Sequence, residues 1–337
     1  MAEKRPQRRL FIFDNLKLLL MALVVVGHFA DVGIQLSPAY KSLFLFIYSF
    51  HMPLFLFLSG LFHKDRKVLQ KVLTFITLGY LAKFIIWLTK SILTGDTSFL
   101  FFSDSNLPWY MFVLSMFIGI SYLLRGVDKK ILLTVSLLLG LIAGYFDFIG
   151  DFLYLSRFFV FYPFYILGQM TPKIVLINLN KMKAVKAVSA FILILWLVLC
   201  FTQIDDLYVL RYFFTGRNPF SSISGITPQS GILQRLLCYL ITVPVSFSVI
   251  CLIPRKKIRY LSDFGKNTLQ VYFWHTSLLL ILRKIGLSSL LVTTASGRIL
   301  WIMIALTITV LLSTRYFAFP TRQVGMLCEK IFSRKRI

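Results

Sequence analysis

The chain has 337 residues, of which 58% are apolar and 15% charged, with a mean hydropathy of +0.79; a water-soluble fold of this length has no interior large enough to hide that surface. The formal net charge of +24 does not imply nucleic acid, because such binding gathers basic residues on one face or element and here they fall in short clusters between apolar runs. Composition therefore excludes a soluble nucleic-acid binder and points to a polytopic membrane protein.

Crossing about 30 Å of hydrocarbon takes roughly 20 largely apolar residues. Runs of that size lie near 10–30, 42–62, 72–92, 107–125, 131–149, 153–170, 185–202, 231–253, 268–286 and 298–318, which predicts an all-α protein with about ten transmembrane helices. The clusters Lys4 to Arg9, Lys64 to Lys71, Arg125 to Lys130, Lys173 to Lys186, Arg255 to Lys266 and Arg322 to Arg336 each follow an even number of runs and hold 25 of the 37 Lys and Arg residues. The opposite side has only seven: Lys41, Lys90, Arg211, Arg217, Arg283, Lys284 and Arg298. This positive-inside pattern puts both termini in the cytoplasm.

The first run contains Asp14 and Lys17 and lacks a small-x-small cleavage site, so it reads as a retained helix. One transmembrane domain is expected over 1–320. The basic tail over 321–337, with Val324, Leu327 and Ile331 among its charges, is expected on the anionic inner leaflet. The longest connection, Thr202 to Ser230, carries Asp205, Asp206, Arg211 and Arg217; it either covers a site or is a plain surface loop. Cys200, Cys238 and Cys251 lie in apolar runs and Cys328 in the tail, giving no disulfide framework and no metal site by spacing. No internal repeat is visible, which argues against a transporter built from duplicated halves.

Ionisable side chains at membrane depth cost on the order of 3 kcal/mol and need a partner or a wet cavity; here they concentrate in the first, second and ninth runs. Lys17 and His28 are eleven residues apart, almost three whole helical turns, so they project from nearly one face about 16 Å apart along the axis. Both can line one channel that holds a long substrate at its two ends. Asp31, three residues beyond His28, either orients that imidazole or is solvated outside the membrane. His51 and Pro53 sit in the middle of the second run. His51 either binds substrate or bonds the carbonyl that the proline frees.

Ser59-Gly60 ends the second run as a polar group or as a small-residue helix contact. Asp104-Ser105-Asn106-Leu107-Pro108-Trp109-Tyr110 opens the fourth run, with aromatics that suit substrate or an interfacial belt. Arg157 in the sixth run must snorkel outward, pair with Asp147 or Asp151, or face a polar substrate. In the ninth, Gly265-Lys266-Asn267-Thr268 leads to Tyr272-Phe273-Trp274-His275, whose histidine again needs a partner.

Asp14-Asn15-Leu16-Lys17 running to Gly27-His28, Phe50-His51-Met52-Pro53 to Ser59-Gly60, Pro108-Trp109-Tyr110, and Gly265-Lys266-Asn267-Thr268 to Trp274-His275 together resemble the membrane acyltransferase-3 family. The likeness is nearest to its fucose 4-O-acetylase-like, polysaccharide O-acetyltransferase branch. It covers essentially the whole chain in order. The family's Arg-x10-His signature appears with its spacing and with His28, but with Lys17 in the arginine's place, which supplies the charge without the planar bidentate fork.

That resemblance implies transfer of an acetyl group from cytoplasmic acetyl-CoA, used as a substrate with no bound cofactor, to a sugar hydroxyl of a surface or exported glycan or lipid-linked sugar, in a bacterial plasma membrane. A thioester is already activated, so the reaction needs a base near neutral pH and a donor for the developing oxyanion. The expected roles are His28 as base with Asp31 as orienter, and His51 or Ser59 on the thioester oxygen. Lys17 and Arg66 are expected toward coenzyme A, and Trp109, Arg157 and His275 toward the acceptor. A covalent acyl-enzyme relay is the alternative mechanism, and a glycan transporter using the histidines as proton relays is the competing function.

Overall fold

The computed structural model describes residues 10–103, 108–259 and 261–333, and every element in them is helical. The stretch Lys4 to Arg9, the segment Asp104 to Leu107 and the tail from Arg334 lie outside the described residues. Helices α1 (Phe11–Asp31), α2 (Pro38–Tyr48), α3 (His51–Leu61), α4 (Val68–Thr94), α5 (Trp109–Leu123) and α6 (Lys129–Ile142) lead to α7 (Leu155–Met170), α8 (Lys173–Leu179) and α9 (Lys183–Thr202). A loop with two short helices, α10 (Ile204–Leu207) and α11 (Arg211–Phe214), precedes α12 (Pro228–Leu252), α13 (Leu261–Phe264), α14 (Thr268–Lys284), α15 (Leu287–Leu291), α16 (Ala295–Leu312) and α17 (Thr321–Ser333).

Each of the ten expected runs holds a helix, but fewer are long enough to cross a membrane. Six pass on length and composition: α1, α2 with α3, α4, α9, α12 and α16; a seventh is added if α7 and α8, bent by 87°, count as one. Helices α5, α6 and α14 have 15, 14 and 17 residues, about 21 to 26 Å of axis against the roughly 30 Å of a hydrocarbon core.

Helix α1 is the hub, packed on α2, α3, α13, α14 and α16. Its apolar residues Leu16, Leu20, Val25 and Phe29 are wholly buried. Its two ends are tied by hydrogen bonds to distant chain. Near the start, Asn15 donates to the carbonyls of Pro254 (2.8 Å) and Lys256 (3.0 Å) and accepts from Ser262 (2.6 Å). Near the end, the Trp301 indole donates to the carbonyl of Phe29 at 2.9 Å, one of the last carbonyls that a helix leaves without an internal partner.

The second run is broken between α2 and α3, at Ser49 and Phe50. Three side chains hold the break. Nδ1 of His51 donates to the Ile47 carbonyl at 2.8 Å, Thr242 donates to the Ser49 carbonyl at 2.6 Å, and the Trp196 indole donates to the Ser49 hydroxyl at 2.9 Å. Pro53 falls in the first turn of α3, where its missing N–H costs nothing within the helix. Groups opened by the break are therefore satisfied from α9 and α12, and the bend is fixed.

Backbones of α3 and α7 touch. A Cβ added at Gly60 would lie 2.0 Å from the Tyr165 carbonyl oxygen, and one at Gly168 2.1 Å from that of Phe57, so the two glycines set the approach reciprocally. The tail does not stand apart from the bundle: α17 packs on α4 and α14, Cys328 is buried, and Lys67 bonds Glu329 at 2.7 Å. Its Met326, Leu327 and Ile331 stay exposed. Cys200, Cys238 and Cys251 are also free and buried.

Candidate active site

Lys17, Met21, Val24, His28 and Asp31 follow one another at steps of three or four along α1, one face of a helix, and that face lines two cavities placed end to end. The first, of about 270 Å³, runs past Val24, His28 and Asp31. The second, of about 270 Å³, runs past Lys17, Met21 and Val24. Val24, Met52 and Tyr272 belong to both walls. The expected single channel is thus two chambers meeting at these three residues, with Lys17 in one and His28 in the other.

Around His28 the packing gathers three imidazoles. Gly27 admits Tyr48, whose ring carbon would stand 3.0 Å from an added Cβ, and Tyr48 contacts His28 and His51 edge-on at 6.5 and 4.7 Å between centroids. The ring of His275 lies 5.4 Å from that of His28. Both neighbours have a set tautomer: Nδ1 of His51 is 2.8 Å from the Ile47 carbonyl and Nδ1 of His275 is 2.8 Å from that of Val271. A carbonyl only accepts, so each Nδ1 carries the hydrogen and each Nε2 keeps its lone pair in the neutral ring. His275 is wholly buried, and its Nε2 has no hydrogen-bond partner among the described residues.

The remaining wall of the His28 chamber comes from the long loop after α9 and from α5 and α7. The loop contributes Arg211, Tyr212, Phe214, Thr215, Arg217 and Asn218, so it covers the cavity. Trp109 stacks on Phe161 at 5.6 Å and carries the Arg157 guanidinium 4.8 Å above its ring. Arg157 also reaches the Thr215 carbonyl at 3.4 Å and Asp151 at 3.7 Å, so of its expected fates the carboxylate and the cavity are both realised. Asp31 lines the chamber but is exposed, and no hydrogen bond joins it to His28.

The Lys17 chamber differs in lining. Phe55, Leu58, Phe62, Phe75 and Leu114 form its walls. The Ser59 hydroxyl, held by the Phe55 carbonyl at 3.0 Å, stands 3.0 Å from the Tyr110 hydroxyl. Ser59 thus faces the cavity while Gly60 makes the contact with α7, and both sequence-level readings of the pair hold at neighbouring positions. Lys17 lies over the Phe62 ring at 4.9 Å. Lys266 is the chamber's second cation; beside Asp263, it holds that carboxyl below the ordinary carboxylate range, with Lys257 adding to the effect.

Of the residues expected at the site, His28, His51, Asp31, Trp109 and Arg157 converge on one chamber and Lys17 and Ser59 on the other. His275 lines neither and stands behind His28. Arg66 is exposed in the turn between α3 and α4 and lines neither; Lys266 is the cation that lines the second chamber with Lys17. Tyr48 belongs to none of the motifs read from the sequence, and Tyr110, Tyr272, Arg211 and Arg217 stand there only as members of a motif or of the long loop, with no role of their own. Two buried cations in apolar runs were also missed, although a lone charge in such a run is itself the signal: Lys83, bonded to the Phe101 and Ser103 carbonyls at 3.1 Å, and Arg235, 5.7 and 5.5 Å from the Phe213 and Phe220 rings.

A family model described as an acyltransferase domain, that of the acyltransferase-3 family, matches residues 11–316. The chain belongs to that family, and its long apolar helices make it a membrane protein. No curated protein and no solved structure matches the chain.

Proposed function

From membership of the acyltransferase-3 family, we propose that this protein moves an acetyl group from cytoplasmic acetyl-CoA to a sugar hydroxyl of a surface or exported glycan in a bacterial plasma membrane. In this reading ten helices cross the bilayer, the short ones meeting locally thinned or water-lined regions, both termini are cytoplasmic, and α17 rests on the inner leaflet. The observation that carries the proposal is the pair of chambers joined at Val24, Met52 and Tyr272. A largely apolar chamber with cations at Lys17 and Lys266 suits a pantetheine arm. An equally large but more polar chamber with imidazoles and arginines suits a sugar.

The acceptor hydroxyl gives its proton to His28 while its oxygen attacks the thioester carbonyl carbon. Collapse of the tetrahedral intermediate breaks the C–S bond, and the coenzyme A sulfur leaves with the proton that His28 returns. The His275 ring, 5.4 Å from that of His28, packs behind the base and limits how its imidazole can turn. Neutral His51 has spent its only N–H on the Ile47 carbonyl, so it accepts hydrogen bonds rather than donating to an oxyanion. That task goes to the Tyr110 hydroxyl on the donor side, because the Ser59 hydroxyl hydrogen is spent on the Phe55 carbonyl and Ser59 serves to position the Tyr110 oxygen.

The test is expression of wild type and His28→Ala at equal membrane levels in a host making a candidate exopolysaccharide, with O-acetyl groups quantified by proton NMR before and after mild base. Removal of a general base costs roughly 10²- to 10⁴-fold, so acetyl should vanish with glycan yield unchanged. Acetylation indifferent to His28, with export falling instead, would transfer the protein to the translocation class.

A further inference from the structure

The charges around the His28 chamber do not cancel. Arg157, Arg211 and Arg217 line it, and the carboxylates that face them are Asp31, exposed on the wall, and Asp151, just behind. Asp151 is committed: its Oδ2 accepts from Nε and Nη2 of Arg217 at 2.9 and 2.6 Å. Arg157 meets the other oxygen of the same carboxylate only at 3.7 Å, beyond hydrogen-bond reach, and its Nη1 has no hydrogen-bond partner among the described residues although the residue is 5% exposed. Arg211 is aimed by its two terminal nitrogens, which donate to the hydroxyls of Tyr208 and Tyr212, each at 2.7 Å, and Asp31 on the same wall acts on it through space, with no salt bridge between the two.

A guanidinium held at membrane depth with an unused donor is costly unless an acceptor, best an anionic one, completes its fork. Neutral sugar hydroxyls offer no charge to match it. The proposed topology sharpens the point: arginine is disfavoured on the non-cytoplasmic side, yet Arg211 and Arg217 are both gathered at this cavity.

Resting on the acetyltransferase reading above, we infer that the acceptor sugar is anionic, bearing a carboxylate or a phosphate that seats between Arg157 and Arg211 while a hydroxyl of the same sugar faces His28. The two oxyanions share one recognition chemistry, a planar fork of N–H donors meeting paired oxygens.

The experiment reads binding, without turnover. Full-length protein in detergent is titrated calorimetrically with p-nitrophenyl β-D-glucuronide, glucose 1-phosphate and p-nitrophenyl β-D-glucoside, with monodispersity checked for every variant. At least one anionic compound should bind about tenfold or more tighter than the neutral glucoside, a difference of about 1.4 kcal/mol, and the preferred anion distinguishes a uronic acid from a sugar phosphate. Arg157→Gln and, on the more accessible loop, Arg211→Gln should each remove most of that ratio, while Arg157→Lys should retain part of it. Equal affinities, absence of anion binding, or a ratio untouched by both arginine changes would overturn the inference. So would competition by adenosine 3′,5′-bisphosphate, which would assign the cations to coenzyme A. A protein that binds the anion with this ratio but acetylates nothing would instead refute the transferase reading and leave the anion site standing.

Discussion

The two chambers share one wall of α1 and are about equal in volume, 270 Å³ each, yet they are built by different means. The Lys17 chamber is lined mainly from the regular helices α1, α3, α4, α5 and α14, with Gly265 and Lys266 added from the turn before α14, and is mostly aromatic and aliphatic. Most of its shape comes from packing rather than hydrogen bonding. The His28 chamber is closed by the irregular loop after α9 and by the broken joint between α2 and α3, and its lining is rich in groups that need partners. On the reading proposed above, the Lys17 chamber suits a flexible arm and the His28 chamber, whose backbone is stabilised by tryptophan, threonine and histidine side chains, suits a sugar. The difference teaches that breaking the second run brings polar side chains to one end of the α1 stripe while the other end stays largely apolar.

Blocking the junction is the strongest way to break that division. Met52→Trp fills the wall common to both chambers and should lower turnover by about 100-fold, the scale expected when reacting groups are held out of position, while the binding of each substrate alone changes little; calorimetry with coenzyme A beside a rate assay separates the two. If turnover survives Met52→Trp, the chambers do not meet where proposed.

Adjacent positions on α3 offer the next contrast. Gly60→Ala puts a methyl against the α7 backbone at 2.0 Å and should cost about 3 kcal/mol of stability, seen as a lower melting temperature in detergent and poorer yield. Ser59→Ala should leave melting nearly unchanged and slow transfer by up to about tenfold, since it removes a hydrogen bond worth about 1 kcal/mol. Equal melting losses from the two would mean that Ser59 is part of the helix contact and not of the cavity.

The smallest effect distinguishes the cations. Lys266→Gln should raise the KM for acetyl-CoA by roughly two- to fivefold, as for an exposed charge pair, with the KM for the acceptor unchanged and the effect shrinking in high salt. Arg66→Gln, in the lining of neither chamber, should change neither constant, and a donor-specific effect there would support the expected contact with coenzyme A.

Much of this was legible in the chain. The eleven-residue step from Lys17 to His28 needs only helical geometry to put both on one face, and the apolar runs locate the helices because lipid demands them. Arg66 shows what linear reading leaves open: a basic residue after the second run looks like a phosphate contact, but the cation that lines the chamber beside Lys17 is Lys266, from a distant part of the chain. His275, expected toward the acceptor, lines neither chamber and has its ring 5.4 Å from that of His28, a neighbour that its position in the chain could not reveal.

By itself, then, the sequence determined the solvent, the helices and the stripe on α1, because hydropathy and a 3.6-residue period are local properties that need no partner. Only the tertiary structure decided that the stripe serves two chambers, that Tyr48 and Tyr272 stand beside the histidines, and that Arg157 shares a carboxylate with Arg217. The far-reaching contacts of the site, such as His28 with His275 and Asp151 with Arg217, join residues dozens to hundreds of positions apart, and they follow from how the helices pack rather than from any pattern along the chain.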